Sequence, residues 1–371
     1  MKEGWKYMKL GDVADVIHGK CQKEVISEHG QYPIYGSGGN IMGYANEYIC
    51  EAGTTILGRK GSINNPQFIS SRFWNVDTAF GISAKSGYDN KFIFYFIKNI
   101  DWSKKNTGTT LPSLTQQVVK STPIPVPSLP EQQRIVSYLD AEFAKIEALK
   151  ANAEKQLQAA KDLFQSALKE LLTPKDGWEE DKLNLIFNFI DYRGQTPTKI
   201  ESGVPLITAK NVKYGYIDYT IKDYISQEEY ELRKGRGVSR KGDLLFTTEA
   251  PLGNVAIADL DEYSAGQRII TLQQYDESKY KIDNRFYYYY MLSPVFQNRI
   301  KGLATGATAQ GIKAKILKSI IVPVPPFDFQ QQIADKLDAL SAKVKALQSN
   351  YNETITLCND LKQSLLKDIF E

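Results

Sequence analysis

Pro125-Val126-Pro127-Ser128-Leu129-Pro130-Glu131-Gln132-Gln133 ends one kind of sequence and begins another, and the chain writes it again as Pro323-Val324-Pro325-Pro326-Phe327-Asp328-Phe329-Gln330-Gln331. From Pro130 to Leu172 there is no glycine and no further proline. Ser128-x-x-Glu131 reads as a capping box with Pro130 in the first turn, and Thr173-Pro174 stops the helix. Apolar residues recur at 136, 139, 143, 146, 153, 157, 160, 164, 167 and 171, interrupted by Lys150. That three-and-four spacing, kept over about five heptads, predicts a coiled-coil helix roughly 64 Å long. The second stretch repeats the seam in Ile333, Leu337, Leu340, Val344, Leu347, Tyr351, Cys358, Leu361 and Leu365. Asp328, or the segment just before it, is expected to cap that helix. Neither stripe can be buried alone, and the simplest partner for one helix is the other, running antiparallel.

The duplication extends outward from these helices. Thr107-Gly108-Thr109-Thr110 returns as Thr305-Gly306-Ala307-Thr308, and Leu139-Asp140 as Leu337-Asp338. Gly4-Trp5 returns as Gly177-Trp178, at a shorter offset, so the second copy carries extra residues in its middle. The plan is variable half, shared half, variable half, shared half: residues 1–128, 129–173, 174–326 and 327–371. Its expected form is an α+β fold with a pseudo-two-fold internal repeat. Two β-rich mixed domains are separated by two long antiparallel coiled-coil helices.

Composition excludes several functions. The 371 residues are 42% hydrophobic and 24% charged, a globular balance. No stretch has the apolar length of a membrane span, and Met1-Lys2-Glu3-Gly4-Trp5 lacks the apolar core of a signal peptide. Cys21, Cys50 and Cys358 are widely spaced, which fits a reducing cytoplasm better than a disulfide or zinc framework. Only His18 and His29 are available for histidine chemistry. Gly19-Lys20 is followed by Cys21 and makes no phosphate loop. No Pro-Asp opens a nuclease motif. Pro325-Pro326-Phe327 resembles the end of an amino-methyltransferase motif, but Val324 stands where an amine acceptor is required. The chain therefore reads as a binding module without catalysis or metal. Net charge is +3 overall, with the excess confined to the variable halves.

Strand-like runs in those halves include Tyr32-Pro33-Ile34-Tyr35, Thr54-Thr55-Ile56-Leu57 and Asp243-Leu244-Leu245-Phe246. Aromatic-rich helices are expected at residues 91–99 and 285–292, with the tyrosines at 287–290 half in the core and half at the surface. Polar and basic loop residues are what base and phosphate reading needs. The candidates are Ser37, Arg59, Lys60, Asn64, Asn65 and Arg72 in the first half. In the second they are Arg193, Lys210, Asn211, Lys241, Thr247, Thr248 and Arg268. Thr107, Thr109, Thr110, Thr305 and Thr308 suit close approach to phosphates, or equally a packing turn. The run Arg233-Lys234-Gly235-Arg236 with Arg240-Lys241 reads as a phosphate contact or a solvated basic loop.

These strings together resemble the specificity subunits of type I restriction–modification systems. The resemblance rests on Tyr32-Pro33-Ile34-Tyr35-Gly36-Ser37-Gly38-Gly39, on Ile56-Leu57-Gly58-Arg59-Lys60-Gly61-Ser62-Ile63 and on Asp77-Thr78-Ala79-Phe80. It rests equally on Pro205-Leu206-Ile207, on Lys241-Gly242-Asp243-Leu244-Leu245-Phe246-Thr247-Thr248 and, above all, on the repeated linker. Glu249 departs from the basic or small polar residue common at that position. The resemblance implies two target recognition domains reading a bipartite site in double-stranded DNA, with the helices setting the spacer. It implies docking of two methyltransferase subunits and of restriction subunits, with Glu131, Gln132, Gln133, Gln330 and Gln331 facing them. S-adenosylmethionine, ATP and magnesium then belong to the partners and no cofactor to this chain. A coiled-coil adaptor for protein partners and the specificity subunit of a type IIB system are the alternatives.

Overall fold

The computed structural model describes residues 4–274, 278–306 and 310–371. It divides into two compact units, Met1–Glu154 with Asn352–Glu371, and Lys155–Tyr351. Each unit holds one β-rich head and a segment of both long helices, Leu129–Leu172 and Phe327–Phe370.

In the first unit a four-stranded sheet is ordered Ala14–His18, Ala79–Ala84, Thr54–Gly58, Gln67–Ile69, antiparallel throughout. In the second unit the sheet Asn188–Asp191, Ile269–Gln273, Leu244–Thr247, Val255–Ile257 has the same order and directions. A three-stranded sheet follows the same correspondence. Tyr32–Tyr35 pairs antiparallel with Ile41–Ala45 and parallel with Trp74–Asn75. Val204–Ile207 pairs antiparallel with Tyr224–Ile225 and parallel with Ser264–Ala265. A two-stranded ribbon ties the start of each head to its linker, Lys6–Lys9 to Pro123–Val126 and Glu179–Lys182 to Ile321–Val324. The heads share one fold. The second carries additions in the hairpin Val212–Lys213 with Tyr216–Ile217 and in the helix Gln227–Arg233.

The two central strands, Thr54–Gly58 and Leu244–Thr247, are buried on both faces, which is why they read as continuous runs without alternation. Leu57 and Phe80 in one head, and Phe246 and Ile270 in the other, face the helices Asn90–Asn99 and Asn284–Leu292 across the core. Tyr287, Tyr289 and Tyr290 are buried, and the half-buried Tyr288 donates its hydroxyl to the Gly215 carbonyl. That tyrosine run is core, not half surface, because the added hairpin covers its outer side.

Each head is fixed to its helix by the same device. Asp89 and Asp283 cap the head helices. Their backbone N–H groups donate to the side-chain oxygens of Gln132 and Gln330, both at 2.9 Å. The amide nitrogens of these glutamines donate in turn to the Pro127 and Pro325 carbonyls, at 2.9 and 2.8 Å. About two turns later, Asp140 accepts from Lys91 and Tyr95, and Asp338 accepts from Arg285 and Tyr289.

The long helices pack antiparallel within each unit. Leu139 shares a core with Leu366 and Phe370, Glu147 pairs with Lys362, and Lys150 donates to Asn359 at 3.2 Å. In the second unit Leu168 and Leu172 share a core with Ile333 and Leu337. Leu139, Ile146, Ala153 and Ala160 are buried at strict heptad spacing, and Leu337, Val344 and Cys358 likewise. Leu347 and Leu361, expected in the seam, are 41% and 48% exposed. Two helices alone cover only one flank of such a stripe. The second helix begins at Phe327, with the Pro326 carbonyl accepting the first bonds, so Asp328 lies in the first turn and is not the cap.

Candidate nucleic-acid interface

Three segments meet where the strand Thr54–Gly58 leaves its sheet: residues 36–40, 58–65 and 106–114. The N–H of Arg59 donates to the Thr78 carbonyl at 2.8 Å, and the Arg59 carbonyl accepts from the Leu114 N–H at 2.9 Å. Lys60 bridges to Ser113, and Gly61 donates to the Pro112 carbonyl. Asn65 donates to the Gly38 carbonyl at 3.1 Å. A Cβ at Gly58 would lie 2.2 Å from the Ser62 carbonyl oxygen and 3.1 Å from that of Ser37, so only glycine permits this closeness.

The second head repeats the two backbone bonds that Arg59 makes and the bridge that follows them. Thr248 donates to the Arg268 carbonyl at 2.9 Å, and its own carbonyl accepts from Ile312 at 2.9 Å. Glu249 bridges to Gly311. Thr248 therefore corresponds to Arg59, Glu249 to Lys60 and Arg268 to Thr78. Ala250 corresponds to Gly61, and both have positive φ. Beside this corner lies a cleft of about 240 Å³, whose lining includes Thr196, Lys199, Thr208, Lys210, Gln267 and Arg268.

The structure sorts the candidates. In the first head Ser37, Arg59, Lys60 and Asn65 are brought together. Arg59 is half-buried, with Nε donating to the Asp77 carbonyl, and Lys60 is exposed. Asn64 faces away, tying Asp101 and the Trp102 N–H. Arg72 pairs with Glu51 at 2.9 Å and lies over Tyr48, apart from the corner. Thr107 closes its loop on the Ser113 carbonyl, and Thr109 and Thr110 are exposed on it. Thr305 pairs with Gly311 through both backbone groups, and Thr308 lies outside the described residues.

In the second head Lys210 and Arg268 line the cleft, and Arg193 is locked on Asp191 through its guanidinium. Asn211 is buried, with all its bonds inside the chain: its oxygen accepts from Thr208, and its nitrogen donates to the Asp218 and Ile221 carbonyls. Thr247 and Thr248 are buried, their hydroxyls bonded to the Asn254 and Arg268 carbonyls. These three hold the loop and have no surface to offer a ligand. Lys241 pairs with Asp261 before the start of the strand Leu244–Thr247, whereas the cleft lies past its end, about 13 Å along. The basic run is partly internal as well. Arg233 is buried over Tyr192 and donates to Ser264 and the Ala265 carbonyl.

Of the partner-facing candidates, Gln133 and Gln331 are exposed and Glu131 pairs with Arg134. Gln132 and Gln330 are buried with both ends of their amides satisfied, so they cannot face a partner. Lys199 and Gln267 are absent from the sequence candidates, and Glu249 stands there only as a departure from the family pattern. Lys199 and Gln267 join the cleft only through folding. Among the described residues no cluster of histidine, cysteine, aspartate or glutamate could hold a metal.

Comparison with known proteins accords with this geometry. A family model described as "Type I restriction modification DNA specificity domain" matches residues 2–159 and 175–357. The EcoBI type I specificity subunit of Escherichia coli is 24% identical, over 85% of this chain and 72% of its own. That of MjaVIII from Methanocaldococcus jannaschii is 23% identical, over 91% and 86%. Among solved structures, a chain of a type I R-M system superposes with a TM-score of 0.77 at 20% identity, over 99% of this chain and 97% of that one. The HsdS subunit from Thermoanaerobacter tengcongensis superposes at 0.57 and 19% identity, over 100% and 97%. At those identities the structures establish the fold, and the family match establishes membership: the chain belongs to the type I restriction–modification DNA specificity family, as a specificity subunit.

Proposed function

We propose that each head is a target recognition domain, that the two read the halves of a split, non-palindromic site in double-stranded DNA, and that the long helices set the unread spacer. The observation that carries this reading is the duplicated corner. Two of its backbone bonds and one bridge recur in both heads, while the side chains mounted on it differ. One scaffold with two chemistries is what reading two different half-sequences requires. Arg and Lys can meet guanine or phosphate, Gln and Asn adenine, and exposed threonines the backbone.

The chain itself supplies position and the partner subunits supply chemistry. Two methyltransferase subunits would bind S-adenosylmethionine, and restriction subunits would use ATP and magnesium. A groove of about 520 Å³ lined by Trp5, Glu131, Arg134, Ile135, Tyr138 and Ile369 supports docking at the start of the first long helix. Among the described residues no helix is long and apolar enough to cross a membrane.

The test is a gel shift with the chain and its methyltransferase partner, followed by sequencing of methylated adenines in the host. A bipartite methylated motif is expected. Failure to retard any duplex would favour an adaptor for proteins. Arg59→Ala is expected to weaken one half-site by about 1–3 kcal/mol if its guanidinium reads a base. An equal loss on every sequence would make it a phosphate contact.

A further inference from the structure

The first head places Lys60 at its corner, and the second places Glu249 at the matching position, paired with Arg268. A carboxylate here needs a reason, since a DNA-facing loop meets phosphates that repel it. The pair is made by Arg268 Nε and Glu249 Oε1 at 3.1 Å, with the side chains 53% and 48% exposed. That leaves the terminal guanidinium nitrogens without a partner among the described residues. Lys210 and Lys199, the latter paired with Asp223, line the adjoining cleft with Arg268, and Arg193, paired with Asp191, lies close to Glu249. The cations left to meet a ligand are Lys210 and the outer part of Arg268, with Glu249 set beside them as an exposed acceptor.

Building on the reading of this head as a target recognition domain, we propose that Glu249 and Arg268 together read a single G·C pair. In the major groove guanine offers two acceptors, N7 and O6, and cytosine offers a donor, N4. Guanine O6 and cytosine N4 are themselves hydrogen-bonded, at roughly 2.9 Å. With Arg268 Nε held by Glu249 Oε1 at 3.1 Å, the terminal guanidinium donors stand beside a carboxylate acceptor, the order of groups that this edge requires. The guanidinium donates to N7 and O6, and the carboxylate accepts from N4. An A·T pair sets an adenine N6 donor against the guanidinium and a thymine methyl near the carboxylate, so it is rejected. An exposed ion pair contributes little to stability on its own, so opening it slightly to admit a base pair costs little.

The same atoms explain why the second head tolerates an acid where the first has Lys60. In the first head the position can neutralise a phosphate or approach guanine. In the second, Arg268 supplies the positive charge from the neighbouring strand, at the position of Thr78.

The test selects duplexes from a randomised pool with the chain assembled with its methyltransferase partner, comparing wild type with Glu249→Ala, Glu249→Gln, Arg268→Ala and Lys60→Ala. Glu249→Ala and Arg268→Ala are expected to lose preference at one and the same base pair of one half-site, by about tenfold or more. The other half-site stays unchanged, which also reports an intact fold. Glu249→Gln, keeping an acceptor but adding a donor, is expected to relax the position to a smaller degree. Lys60→Ala is expected to act on the opposite half-site. The proposal is overturned if the two alanine variants alter different positions, or if Glu249→Ala strengthens binding to all sequences alike, as a merely repulsive acid would. Selection of no motif by the wild-type assembly would overturn the DNA-reading assignment as well. A wild-type motif unaltered in the Glu249 variants would sink this inference alone.

Discussion

Gln132 and Gln330 each complete a circuit of hydrogen bonds that a single truncation breaks. Gln132→Ala would strand the Asp89 N–H and the Pro127 carbonyl in the interior, at a cost of about 1–3 kcal/mol. Urea unfolding is expected to show that loss, whereas truncating the exposed Gln133 should change the midpoint little. Asp243 is a different case. Burial pushes its carboxyl up to about 6, against backbone and Gln273 hydrogen bonds that favour the charged form. An unfolded aspartate titrates near about 3.9, so the folded state holds the proton more tightly. The resulting stabilisation is fully present below that lower value and is lost as pH rises through 6, by at most about 3 kcal/mol. Asp243→Asn is expected to remove this slope between pH 4 and 7. Parallel slopes in the two proteins would contradict it.

At the scale of the element, the long helices were legible because their signal is periodic and uninterrupted. The heptad positions 139, 146, 153 and 160 could be read without any knowledge of the heads. What could not be read was how wide a stripe each helix buries. Leu361 and Leu347 stand in the same pattern as Val344, yet they remain exposed because the partner helix covers only one flank. Leu361→Ser is therefore expected to alter the stability of the isolated chain by less than about 0.5 kcal/mol. It should weaken assembly with a methyltransferase subunit if that flank docks it, as measured by co-purification or calorimetric titration. The loops were harder still. Asn211, Thr247 and Thr248 have the composition of a reading loop, but they spend their hydrogen bonds on their own backbone. Residue type does not reveal which way a polar side chain turns.

For the whole molecule, the ruler reading makes a geometric prediction. Inserting four residues at facing positions in both long helices adds about 6 Å of helix. That is close to two base pairs at roughly 3.4 Å each, so the methylated motif should gain a longer unread spacer with both halves kept. An unchanged motif would remove the helices from that role. The sequence by itself determined the duplication, the two helices and the family, because repeats and heptads are written along the chain and need no distant contact to be seen. Only the tertiary structure decided that Glu249 stands where Lys60 does, that Arg268 reaches it from another strand, and that Gln132 and Gln330 are buried anchors. Those facts depend on backbone bonds, an ion pair and glutamine side-chain bonds that join separate segments of the chain, and no local pattern encodes them.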